Sequence, residues 1–165
     1  MIRQAEVRDA KEIQSIAEIT WKHTYKRLYS MDIIENFLQK AYEIERLKKS
    51  IQICSERNDC GFIVAEDVGQ CVGFAQAVPY LDGLELSRIY ILPDSQRKGL
   101  GQLLVNKIID IAKAAHKPHL YVYVEKENED ARAFYEREGF HTIDEIEDSA
   151  LGVKSTLVKC QKQVS

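Results

Sequence analysis

The sequence predicts a single α/β domain on a mixed, mostly antiparallel sheet of about seven strands, flanked by about four helices. Three observations lead there. From Gly61 to Leu92 the chain is a series of β-rich runs broken by turn residues. Segments with helical period stand before and after that region. Beyond it, single strands and helices alternate before two final strands, so hairpins join the middle of the sheet and helices join the rest. The order reads β-α-α-β-β-β-α-β-α-β-β. With 165 residues, 45% of them apolar, the chain suits one domain over residues 1–165 whose core needs no metal or disulfide staple.

The elements follow in turn. Ile2 to Ala5 form a short strand, and Asp9 stands as the N-cap of a helix with Ile13, Ile16, Ala17, Thr20, Trp21 and Thr24 on one face. A second helical segment runs from about Asp32 to Ile51, with Ile34, Phe37, Leu38 and Ala41 in phase and Leu47 and Ile51 continuing less regularly. FIVAEDV, CVGFAQAVPY and LELSRIYIL, separated by Gly69-Gln70 and by Leu81-Asp82-Gly83, make a three-stranded antiparallel meander. After Pro93-Asp94 comes a helix with Leu100, Leu103, Leu104, Ile108, Ile111, Ala112 and Ala115 inside, reaching about His116 before Pro118 forbids continuation. HLYVYV is the next strand. Asn128 or Glu129 opens a helix to about Glu138, Gly139 supplies a left-handed cap, and strands follow near Phe140 to Glu147 and Leu151 to Lys159.

Charge and composition remove whole classes of function. The 23 basic and 26 acidic side chains are interspersed, for a formal net charge of −3, which lacks the basic surplus that phosphate-backbone affinity needs. No nucleic-acid partner is expected. No stretch approaches the roughly 20 apolar residues of a membrane span, and the charged N-terminal segment is unlike a secretory signal, so the expected location is the cytoplasm. Cys54, Cys60, Cys71 and Cys160 lack the paired spacing of a zinc site and read as reduced thiols. His23, His116, His119 and His141 have no ligand spacing either, and no metal is assigned.

The most informative segment is Gln96-Arg97-Lys98-Gly99-Leu100-Gly101, between a strong strand and a strong helix. Free N–H groups and the positive end of a helix dipole point outward together at such a junction. Glycines let the main chain approach a phosphate, and Arg97 and Lys98 add charge. The same residues also suit a plain turn with an exposed basic pair. Position 104 is Leu104, where a dinucleotide fingerprint needs glycine, and no P-loop GK[ST] occurs, so NAD and ATP are not expected.

Taken together, the Q-R-K-G-L-G loop after RIYILP and the later N-E-D-A-R-A-F-Y-E-R-E-G-F segment resemble the two signature regions of the GNAT superfamily of N-acetyltransferases. The resemblance covers nearly the whole chain. It implies a mixed sheet splayed between its fourth and fifth strands around acetyl-coenzyme A. Gln96, Arg97, Lys98, Gly99, Leu100, Gly101 and Gln102 would then take the pyrophosphate, and Ile89, Tyr90 and Ile91 would pair with the pantetheine arm like an added strand. Asn128 would hydrogen-bond the pantetheine, Ala131 would pack close to it, and the Tyr135 hydroxyl would face the cofactor sulfur.

Acetyl transfer to an amine needs a proton acceptor, because an alkyl amine of pKa about 10.4 is protonated at neutral pH. Glu85, on the strand leading to the loop, resembles the family's glutamate base, and it suits substrate orientation equally. Backbone N–H groups near Ile91 would serve the developing oxyanion, and Tyr135, a phenol, would assist the leaving thiolate. A cysteine acyl-enzyme is disfavoured, since neither Cys54 nor Cys71 has an activating neighbour in sequence. Acceptor selection falls to the first two helices and their loop, where Tyr25 and Tyr29 edge a pocket and Trp21 belongs to the core. The expected partner is a small-molecule amine such as a polyamine, and the chain a monomer or homodimer. Acetylation of a protein N-terminus, a lysine, an amino acid or an antibiotic remains open, as does a non-catalytic acyl-CoA sensor.

Overall fold

The computed structural model describes residues 1–165 and contains seven strands and five α-helices. In chain order they are β1 (Ile2–Gln4), α1 (Ala10–Tyr25), α2 (Met31–Ala41), α3 (Ile44–Ser55), β2 (Gly61–Asp67), β3 (Gln70–Tyr80) and β4 (Gly83–Ile91), then α4 (Leu100–Ala114), β5 (His119–Glu125), α5 (Glu129–Arg137), β6 (His141–Asp148) and β7 (Ser155–Gln163). All strands belong to one sheet in the order β1-β2-β3-β4-β5-β7-β6. Every pairing is antiparallel except β4 with β5. No helix is long and apolar enough to cross a membrane.

Strand alternation divides the core between the two faces of the sheet. Ile63 and Ala65 of β2, Leu84 and Leu86 of β4, and Leu120, Val122 and Val124 of β5 point to one face, where Leu104, Val105, Ile108 and Ala112 of α4 and Tyr135 of α5 cover them. Phe62, Val64 and Phe74 point to the other, against Ile13, Ile16, Ala17 and Trp21 of α1, Ile34 and Leu38 of α2, and Leu47 and Ile51 of α3. A helix period met by a strand period explains why these positions are buried.

Several expectations need correction. The segment from Asp32 to Ile51 is two helices, because the Glu43 carboxylate accepts the N–H groups of Glu45 and Arg46 at 3.0 and 2.9 Å and starts a new helix without any glycine or proline. Asp9 stands before α1 without capping it. Its carboxylate turns back to the Arg3 guanidinium at 2.8 and 2.9 Å and to the Glu6 N–H at 2.7 Å. Burial alone would raise that carboxyl, yet Arg3 and the Glu6 N–H hold it below the usual carboxylate range. Thr24 is exposed and Tyr25 buried in its place, and Leu103 is 48% exposed while Val105 takes the inward position. The last strand begins at Ser155 rather than Leu151.

Candidate active site

The sheet opens at its only parallel seam. β4 and β5 pair at two positions alone, Leu84 with Leu120 and Glu85 with Tyr121. Beyond them β4 continues along β3 to Ile91, and β5 continues along β7 to Glu125. The cause lies in β4. Leu86 pairs with Ala77 and Arg88 with Gln76, so Ser87 is an extra residue, its hydroxyl donating to the Gln76 carbonyl at 3.3 Å. Such a bulge bends its strand and increases the twist, which here turns β4 away from β5.

The main chain of β4 is left half unpaired. Leu92 N–H donates to Val72 O at 2.8 Å, so by the alternation of an antiparallel ladder Arg88 and Tyr90 also face β3. Ile89 and Ile91 therefore turn their peptide groups toward the opening. The carbonyl of Ile91 already accepts the Gln96 side-chain amide at 3.0 Å. Tyr90 differs from expectation in this respect: its peptide groups are committed to β3, and its ring lies 5.8 Å from Phe74 and 6.4 Å from Trp21 on the α1 side. Trp21 is core, 7% exposed.

At the far end of β4 the loop before α4 is arranged for an anion. Arg97 and Gly99 have positive φ, 64° and 81°, and α4 starts at Leu100. The first main-chain donor of this turn with a protein acceptor is Leu103, which reaches Gly99 O at 3.1 Å, so the six N–H groups from Arg97 to Gln102 have none. Six free donors at a helix N-terminus match a phosphate's oxygens and charge. Arg97 and Lys98 are exposed beside them, and the 3.7 Å approach of Lys98 to Asp67 is too exposed to fix it. The two glycines serve different ends. A Cβ on Gly99 would meet nothing within 4 Å, whereas one on Gly101 would lie 3.1 and 3.2 Å from the Phe134 ring. Gly101 is there so that α4 and α5 can touch.

Across the opening, Asn128 caps α5 by accepting Ala131 N–H at 3.2 Å, and its amide donates to the Tyr25 hydroxyl at 3.4 Å. Tyr135 is 6% exposed, with its ring edge-on to Phe134 and Phe140 at 5.2 and 5.4 Å. Its hydroxyl makes no hydrogen bond within the protein, and it is not among the fully enclosed polar atoms. Burial, reinforced by Tyr25, pushes this phenol far above its ordinary value. It holds its proton at every physiological pH.

The face of the sheet opposite Leu84 and Leu86 carries the carboxylates. Glu85 sits at the seam itself, on the face opposite Leu84 and Leu86, half-buried and without an ion-pair partner. Burial raises its carboxyl above the usual range, and the Lys159 charge opposes that rise. Tyr29, just past the end of α1, donates to Glu125 Oε1 at 2.5 Å. Its ring is 6.0 Å from that of Tyr25, and Tyr29 N–H reaches Tyr25 O at 3.0 Å, so the i, i+4 relation survives as one extra turn. Glu125 was not among the expected residues, although the alternation in HLYVYVE marks it: Leu120, Val122 and Val124 go to the core, leaving Tyr121, Tyr123 and Glu125 on the other face. Arg88 was missed as well, and its guanidinium lies 4.6 Å over the Tyr42 ring with one buried N–H unpartnered. No group of three or more metal-ligating side chains is gathered anywhere.

The family model described as the acetyltransferase (GNAT) family matches residues 15–140, which include the opening, the anion loop and α5. The chain belongs to the GNAT acetyltransferase family. It is an N-acetyltransferase with acetyl-coenzyme A as co-substrate. Among its relatives, the spermidine N(1)-acetyltransferase of Thermoplasma acidophilum is 27% identical over 87% of this chain and 89% of its own. The peptidyl-lysine N-acetyltransferase YiaC of Escherichia coli K12 is 28% identical over 87% of this enzyme and 85% of its own length. In structure, a PaiA N-acetyltransferase from Thermoplasma acidophilum, solved in complex with coenzyme A, superposes with a TM-score of 0.88, 25% identity and coverage of 99% and 98% of the two chains.

Proposed function

We propose that this enzyme, a single domain over residues 1–165 working in the cytoplasm, moves an acetyl group directly from acetyl-coenzyme A to a primary amine of a small acceptor of the polyamine class. The observation that carries the reading is the wedge: a free β4 edge leads from six unpartnered N–H groups at one end to Glu85 at the other, with Tyr135 packed in the cluster that Ile89 and Ile91 join. The carboxylates and phenols of its acceptor side suit a cationic amine, and the spermidine-acetylating relative supports the same class.

In this reading Gln96, Arg97, Lys98, Gly99, Leu100, Gly101 and Gln102 hold the pyrophosphate, mostly through main-chain N–H groups. Ile89 and Ile91 supply peptide groups to the pantetheine amides, and the remaining Asn128 amide hydrogen serves the same arm. The bound co-substrate supplies a thioester, an acyl carbon open to a neutral amine with a thiolate as leaving group. Glu85 takes the proton from the acceptor ammonium, directly or through water. Tyr135 Oη keeps its own proton and donates a hydrogen bond toward the sulfur, since a phenol raised so far is a poor acid but a sound donor.

Two outcomes follow. Gly99→Asp places a carboxylate in the loop at a residue type that tolerates positive φ and caps helices, so the fold is kept while the anion site fills itself. Coenzyme A affinity, measured by calorimetry, falls about tenfold or more in a protein that still melts cooperatively, slightly below the wild type because of the strained φ. Unchanged affinity would remove the pyrophosphate from this loop. Glu85→Gln slows turnover most in the pH range that lies above the titration of the Glu85 carboxyl and below that of the free amine. The raised carboxyl of the wild type loses its base form as pH falls through that raised value, and the deficit of the variant narrows as the amine deprotonates by itself. A uniform loss across pH would make Glu85 an orienting residue.

The reading as a whole is tested by thiol release from acetyl-coenzyme A over a panel of alkylamines, diamines, triamines and lysine peptides. Turnover with the small amines supports it. Turnover with peptides alone would replace the acceptor class, and binding without release would make the chain a sensor.

A further inference from the structure

On the acceptor face, beside Glu85, three tyrosines surround a lysine of the chain itself. Lys159 Nζ lies 5.2 Å from the ring centroid of Tyr80, 5.3 Å from Tyr121 and 5.9 Å from Tyr123. These are cation–π distances to three rings at once. The ammonium makes no salt bridge and no hydrogen bond with the protein, although Glu85 and Asp144 stand on neighbouring strands. The three rings surround it, and its charge also acts on Glu85.

The box is built rather than incidental. Tyr121 pairs with Glu85 across the seam, and Lys159 pairs with Tyr123 across β5 and β7. Leu120, Val122, Val124 and Val158 alternate to the core, which sends Tyr121, Tyr123 and Lys159 to the face of Glu85. The Tyr80 and Tyr123 hydroxyls touch, the Tyr121 hydroxyl donates to Asp82 at 2.5 Å, and the Gln161 amide donates to Tyr121 at 3.2 Å. Tyr80 also meets Tyr121 and Tyr123 edge-on, with centroids 5.3 and 6.1 Å apart. Strands about 4.8 Å apart put β7 about 10 Å from β4, within the span of an extended amine whose head is at Glu85.

We propose that Lys159 is a specificity-determining residue: its ammonium occupies a three-tyrosine cation box next to Glu85 and denies that box to the charged tail of the acceptor. The proposal rests on the small-amine reading above and adds a rule to it. A second positive charge on the acceptor is tolerated where it falls short of the box or points toward Glu125, and is rejected where it must share the rings with Lys159. An uncharged alkyl tail meets no such penalty. Removing the lysine charge while keeping the rings turns a filter into a receptor for alkylammonium.

The test compares α,ω-diamines with monoamines of matching chain length, as ratios of kcat/KM, in the wild type and in Lys159→Met, Lys159→Gln and Lys159→Arg. The two neutral variants raise the diamine-to-monoamine ratio about tenfold at the chain length that reaches the box, through a lower diamine KM. Lys159→Arg retains the wild-type ratio. Adding Tyr123→Leu to Lys159→Met abolishes the gain, which a merely structural effect of the lysine would not produce. An unchanged ratio in an active Lys159→Met or Lys159→Gln enzyme overturns the proposal while leaving the acetyltransferase reading intact. Thiol release by the wild type with none of these amines overturns the small-amine reading and the proposal together.

Discussion

Tyr135→Phe lowers kcat by about tenfold or more while the KM for acetyl-coenzyme A stays close to the wild-type value. General acid or hydrogen-bond assistance to a leaving group is typically worth about 10²- to 10⁴-fold, and a thiolate, which leaves readily, puts the loss at or below the low end of that range. The structure makes the substitution a clean one. The hydroxyl has no hydrogen bond to break, and the ring keeps its edge contacts with Phe134 and Phe140. Thermal melting therefore matches the wild type, so a rate loss belongs to the chemistry. The phosphate end is untouched, which is why KM is not the parameter that moves. Steady-state kinetics on a good acceptor, with a pre-steady-state check that chemistry limits turnover, decides the matter. A wild-type kcat would show that the sulfur needs no hydrogen bond from Tyr135, and a loss confined to KM would make Tyr135 a binding residue.

Gly83→Ala produces the largest loss of stability expected from a single methyl group. A Cβ at this position would stand 1.9 Å from the His119 carbonyl oxygen and 2.8 Å from its carbon, backbone atoms with no rotamer to escape into. The collision sits beside the only two residue pairs that join the β1 to β4 half of the sheet to the β5 to β7 half. Overpacking of this kind costs about 3 kcal/mol, which for a domain of this length lowers the melting temperature by about 10 °C. Because the strain acts on the seam, activity falls beyond what the unfolded fraction explains: Glu85 follows Gly83 by two residues and moves with it. A variant that melts with the wild type would show that the seam can widen freely.

Much of this was legible in the sequence because local signals and global fold agree. Each strand and turn of the β2 to β4 meander, the basic loop before α4 and the Asn128 cap is written within a dozen residues, where period and turn chemistry suffice. The division of residues 31–55 into α2 and α3 was not, since Glu43 ends one helix and caps the next with none of the usual breakers. Nor was the bulge at Ser87, which has no glycine or proline to announce it and depends on the register against β3. The acceptor side was read only in part. Tyr25 and Tyr29 are neighbours in sequence, but Glu125 is 96 positions from Tyr29, and the Lys159 box draws on three strands. Such pairings exist only once the sheet order is known.

The contact at Gly101 makes the two flanking helices behave as a caliper. With no side chain between them, the start of α4 rests on Phe134, and the residue after Phe134 is Tyr135. If the α4 loop takes the phosphate and Tyr135 the sulfur, as proposed, the two jaws are set at one fixed gap, through a packing contact rather than a flexible loop. In that reading an acyl donor is measured against the gap before it reacts. Thioesters on a shortened arm can fill one jaw but not both, so they forfeit the orientation that remote binding provides, and they react slowly even when the acyl group is the same.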